Sequence, residues 1–142
     1  MVGVYLSVPL IKNRNLTLAK IIADSLRSKN LDITSDWVLS EDPGFSKEPE
    51  YVYKRDISAL AKSRILVADV STPSIGVGME IMYAKSLDIP IICLQMKGGP
   101  LSRMLIGMPG KTLIQYDNVN ELINLLSDTL ESMIRKTSET RK

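Results

Sequence analysis

The chain has 142 residues, 44% of them apolar and 24% charged, with a net charge of +2. That is enough for one domain with a hydrophobic core, and too little charge imbalance to make nucleic acid its main partner. The absence of histidine excludes Ser-His-Asp and Cys-His nucleophiles, His-bearing zinc sites and imidazole acid–base chemistry, so any catalysis rests on carboxylates, lysines, tyrosines or hydroxyls.

In chain order, "VGVYLSV" (2–8) is a short β-rich run closed by Pro9. "NLTLAKIIADSLRSKN" (15–30) spaces Leu18, Ile21, Ile22 and Leu26 as a helix behind a capping Asn15. "LDITSDWVL" (31–39) reads as a second strand, and "SEDPGFSKEPE" after it as a polar loop. A helix over 50–63, a strand over 65–70, a helix over 77–87, a strand over 89–94, a glycine loop and a short helix over 100–107 follow. "KTLIQY" (111–116) and the helix "VNELINLLSDTLESMIRK" close the fold. Val/Ile/Leu strands alternating with helices predict a single α/β domain over 1–137, with a flexible tail at 138–142. Its expected form is a doubly wound, Rossmann-like or flavodoxin-like sheet of five parallel strands with helices on both faces. No apolar run approaches the roughly 20 residues of a membrane span, and "MVGVYLSVPLIKNR" shows no basic leader, so a cytoplasmic protein without membrane contact is expected.

In such sheets ligands gather beyond the carboxyl ends of the strands, which singles out "SVPLIKNR", "STPSIGVG" and "QMKGGPLSRM". On a helical wheel Glu80 falls in line with Tyr83, Ala84 and Leu87, so a carboxylate occupies an apolar stripe. It is paired, protonated or open to a cleft, or it merely complements the helix dipole. In "YVYKRDISALAKS" the stripe is Tyr53, Ile57, Leu60 and Ala61, with Asp56 at its edge as a catalytic group or as a rim charge beside Lys54 and Arg55. Two carboxylates at one sheet edge suit glycosyl-bond chemistry, in which one is the nucleophile and the other the acid and base. "GVGMEI" lacks the third glycine of the dinucleotide fingerprint and follows the third strand, so a Rossmann cofactor site is rejected. Gly76 and Gly78 let backbone approach a ligand, and Thr72 and Ser74 offer hydroxyls at a helix start suited to phosphate; an ordinary capped turn is the alternative. Lys97 and Ser102 form a second anion niche or a plain loop. Tyr5 is a core tyrosine or an orienter of a carboxylate, and the single cysteine, Cys93, is a core residue. Met96, Met104 and Met108 are adaptable core or a subunit contact.

Taken together, "VYLSVP", "KRDISALAKSRILVADVSTPSIGVGMEIMYA" and "GGPLSRML" resemble the nucleoside 2-deoxyribosyltransferase superfamily, and within it the 2'-deoxynucleoside 5'-phosphate N-hydrolases. The resemblance runs from about residue 2 to residue 125 and is densest from Arg55 to Tyr83. It implies cleavage of the N-glycosidic bond of a deoxynucleotide without metal or organic cofactor. Glu80 would be the nucleophile, Asp56 the acid and base, and Tyr5 the holder of Glu80. Ser74 and Ser102 would bind phosphate, the second across a homodimer interface. The base-exchanging transferases usually carry a carboxylate six residues before the glutamate. A neutral Ser74 favours the hydrolases, since a carboxylate would repel a phosphate. The family's first loop commonly reads glycine-serine and bears an arginine; here Lys12 or Arg14 is expected to supply that charge, with Ser7 among the substrate-binding groups. A transferase acting on free nucleosides and a non-catalytic nucleotide-binding module are the competing readings.

Overall fold

The computed structural model describes the backbone of residues 1–140 and the side chains of residues 1–136, so the expected tail at 138–142 lies outside the fully described residues. The elements run β1 (Gly3–Ser7), α1 (Leu16–Ser28), β2 (Asp32–Ile33), a 3-10 turn (Asp36–Leu39), α2 (Pro49–Ala61), β3 (Ile65–Asp69), α3 (Ile75–Ser86), β4 (Ile91–Met96), α4 (Arg103–Gly107), β5 (Thr112–Tyr116) and α5 (Val119–Thr140). The five strands form one parallel sheet in the order β2-β1-β3-β4-β5, which is the flavodoxin-like arrangement.

Alternation along the strands sends Val4, Leu6, Val67, Ile92, Leu94 and Ile114 to one face, where α1 and α5 cover them with Ile22, Leu26, Leu122, Leu126 and Leu130. The other face carries Tyr5, Leu66, Ala68, Ile91 and Cys93 under Leu60 of α2, Val77, Ile81 and Ala84 of α3, and Leu105 of α4. Each fully buried leucine or isoleucine contributes about 2 kcal/mol of transfer free energy, and the two layers supply many of them.

The second strand is shorter than the sequence suggests, because 31–39 alternates only weakly and a hydroxyl takes over the pairing. The buried Ser35 Oγ accepts from Leu6 N at 2.8 Å and donates to Leu6 O at 2.7 Å, and the chain then coils into the 3-10 turn. The third helix begins two residues before the expected start. Ser74 caps it by accepting from Val77 N at 3.3 Å, which draws Gly76 and Gly78 into the first turn of α3 instead of a loop.

Candidate active site

Strand order reverses between β1 and β3, and the candidate site lies at the carboxyl end of β1 beside that switch point. Tyr5 and Ser7 are two apart on β1 and so point to the same face of the sheet. That face meets α3, where the two hydroxyls hold one carboxylate: Tyr5 Oη donates to Glu80 Oε2, and Ser7 Oγ donates to Glu80 Oε1 at 2.9 Å. Both oxygens of Glu80 are therefore engaged by neutral donors, an arrangement that orients the group without neutralising it. Burial pushes the Glu80 carboxyl up to about 7; the Tyr5 and Ser7 hydroxyls hold it down, the nearby Asp56 charge adds to the rise, and Arg55 opposes it. Burial, then the Glu80 charge, also drives the Tyr5 hydroxyl far above the ordinary phenol range, so it remains a donor.

Asp56 comes from α2. The inward face of that helix carries Val52, Asp56, Ala59 and the fully buried Leu60, while Tyr53 and Ala61, expected in the stripe, are exposed. A wheel ranked by hydrophobicity favoured the tyrosine, whose amphipathic ring is content at the surface. Burial raises the Asp56 carboxyl above its usual range, against the neighbouring Arg55 guanidinium. Arg55 Nε donates to Asp56 Oδ1 at 2.8 Å, and the guanidinium lies 4.0 Å from the centre of the Trp37 ring, which in turn meets Tyr5 edge-on at 6.2 Å. Trp37 was not singled out from the sequence. The chain's only tryptophan, near the carboxyl end of the run read as the second strand, was the available signal.

The serines are found elsewhere. Ser74 and Ser102, with Thr72 and Gly78, line a cavity of about 800 Å³ whose walls are Val77, Ile81, Met82, Leu101, Met104, Leu105 and Met108. Glu80, Tyr5, Ser7 and Asp56 are not part of its lining. At about 100° per residue the residues of α3 and its cap that line the cavity, Ser74, Val77, Gly78, Ile81 and Met82, lie roughly 60° to 160° around the helix from Glu80, so the cavity flanks the face that carries the carboxylate. A Cβ added at Gly76 or Gly78 would meet only open space. Ser102 caps α4 by accepting from Leu105 N at 3.4 Å, and Met104 beside it is 85% exposed.

Two of the basic residues take up other work. Arg14 donates to the carbonyls of Val38, Ser40 and Glu41, bracing the chain where it leaves the 3-10 turn, because a five-donor guanidinium satisfies carbonyls that the turn leaves free. Lys12 is exposed on the first loop, and Lys97 pairs with Asp117 at 3.1 Å and Glu121 at 3.6 Å. Cys93 is fully buried, as expected of a core residue.

No family model matches the chain. Over 91 residues, 63% of this chain and 64% of the relative's length, it is 45% identical to a protein of Syntrophotalea carbinolica provisionally named 2'-deoxynucleoside 5'-phosphate N-hydrolase 1. A protein of Thermofilum pendens with the same provisional name is 31% identical over 140 residues, which cover 92% of this chain and 96% of the relative. The chain belongs to the 2'-deoxynucleoside 5'-phosphate N-hydrolase family. This is a family of N-glycosidases, as the motif around Glu80 led one to expect. Among solved structures, the CMP N-glycosidase of Clostridium botulinum shares the fold of this N-hydrolase family member with a TM-score of 0.68 at 19% identity, over 87% of this chain and 97% of that one.

Proposed function

We propose that the protein hydrolyses the N-glycosidic bond of 2'-deoxynucleoside 5'-monophosphates, giving free base and 2-deoxyribose 5-phosphate. The observation that carries this reading is Glu80, held at both oxygens by the Tyr5 and Ser7 hydroxyls beside the half-buried Asp56. In the first step the Glu80 carboxylate attacks the anomeric carbon as the bond to the base breaks, and the leaving nitrogen takes its proton from Asp56. In the second step Asp56, now ionised, accepts a proton from water as the water oxygen attacks the same carbon and Glu80 departs as carboxylate. The raised Asp56 carboxyl suits a group that must begin the cycle protonated. Glu80, close to half-ionised near neutral pH, is available as nucleophile once its proton is lost.

The phosphate is taken by Ser74 at the start of α3, with Ser102 supplied by a second copy of the chain. Support for a homodimer comes from Ser102, which lines the cavity whereas Glu80 does not, and from Ile75, Met79, Met82, Met104 and Ile106, apolar side chains of α3 and α4 that are all exposed in one chain. Incubation with each deoxynucleoside monophosphate, the matching ribonucleotides, and free deoxynucleosides with or without an acceptor base, followed by chromatography, tests the proposal. Base released from the deoxynucleoside monophosphates is the expected outcome. Undiminished release by a folded Glu80→Ala protein would refute the assignment.

A further inference from the structure

We propose that Arg55 is a positioning residue for Asp56: its Nε holds one carboxyl oxygen, leaves the other for proton transfer, and is itself fixed by Trp37 and the Pro43 carbonyl. This rests on the hydrolytic reading of the site and extends it to a residue that touches neither substrate nor reacting atom. The geometry is specific. Arg55 Nε donates to Asp56 Oδ1 at 2.8 Å, whereas Oδ2 takes no hydrogen bond among the described residues. The guanidinium lies 4.0 Å from the Trp37 ring centre and donates through Nη2 to Pro43 O at 2.8 Å, so with the Asp56 bond three directions of movement are closed. Adjacent residues on a helix do not ordinarily face each other, and this pair meets only because the arginine folds back along α2 onto the tryptophan. With side-chain exposures of 16% for Arg55 and 20% for Asp56, the pair is shielded enough for orientation to matter, beyond what an exposed ion pair would give.

The charged and titratable groups around Asp56 are Glu80 from α3, Tyr5 from β1 and Arg55 from its own helix, with Tyr51 further along Arg55 at 5.9 Å. Two of these are acids that resist a second negative charge nearby, and Arg55 is the cation that offsets them. Removing the positive charge therefore moves both carboxyls toward their protonated forms. Glu80 must be ionised to attack and Asp56 protonated to assist, so both limbs of the bell-shaped pH profile of kcat/KM move to higher pH together.

The test compares wild type, Arg55→Met and Arg55→Lys, each checked for fold by far-ultraviolet circular dichroism. Methionine keeps an apolar partner for Trp37 without charge; lysine keeps the charge without the planar fork. Arg55→Met is expected to lower kcat about tenfold or more with little change in KM, and to shift the profile alkaline by about one unit. Arg55→Lys is expected to retain the profile's position while losing part of kcat. A folded Arg55→Met protein with wild-type kcat and profile, or with a raised KM alone, overturns the proposal. If the wild type releases no base from any deoxynucleotide, the hydrolytic reading fails by itself. Carboxyl ¹³C titration of Asp56 in both proteins then decides Arg55: an alkaline shift in Arg55→Met supports its hold on the carboxyl, and an unchanged midpoint removes it.

Discussion

Glu80 carries a cost that can be measured without substrate. Its carboxyl lies near 7 in the folded chain against an ordinary 4.5, so the folded state binds more protons than the unfolded one between those values, and stability falls as pH rises through that window. Integrated over the shift, the loss is about 3 kcal/mol. Glu80→Gln, which keeps an oxygen for Tyr5, is expected to be inactive yet more stable than wild type at pH 8, with the advantage gone at pH 4; thermal unfolding at the two pH values checks this. Tyr5→Phe and Ser7→Ala each remove a donor that favours the ionised form, so each should move the acidic limb of the activity profile upward. Glu80 was legible in the sequence because a charge inside an apolar helical stripe is rare enough to stand out. The contacts of Arg14 were hidden for the opposite reason: its partner carbonyls at 38–41 lie more than twenty residues away, and nothing local announces them.

At the level of elements, α3 shows why boundaries are harder to read than types. Its strand, turn and helix were all evident, but "SIGVG" reads as a turn until one sees that Ser74 caps the helix and pays for two glycines in its first turn. Because a Cβ at Gly76 or Gly78 meets nothing, alanine at either position should raise stability by about 0.5–1 kcal/mol. If that open space serves the nucleotide, the same variants lose activity while gaining stability, and urea unfolding alongside base release separates the two effects. Ser74→Asp preserves the cap, since aspartate is as good there as serine, but sets a negative charge where phosphate is proposed to bind. Release of base from monophosphates should fall about tenfold or more, with free deoxynucleosides affected less. The same limit on local reading appears in β2, where a buried Ser35 hydroxyl ended a strand that the sequence pattern would have continued.

For the molecule as a whole, the doubly wound parallel sheet of five strands was readable from the alternation of apolar strands and helices, and with it the edge at which ligands gather, whereas the order of the strands came from the structure. The separation of the serines from the carboxylates was not readable, because it depends on which faces of α3 meet α2 and α4. The proposed dimer makes that separation useful, and it predicts that Ile75→Glu combined with Met104→Glu yields a folded monomer with strongly reduced turnover, read by sedimentation and base release. Ile75 and Met104 are each 85% exposed in one chain, so the substitutions leave the core untouched. One further property follows from Trp37. The protein's sole indole is edge-on to Tyr5 and stacked beneath Arg55, within the group of residues that would receive a nucleotide. The chain thus carries an intrinsic fluorophore at its candidate centre, and its emission should report the arrival of each nucleotide in an inactive Glu80→Ala protein, label-free and on the timescale of mixing.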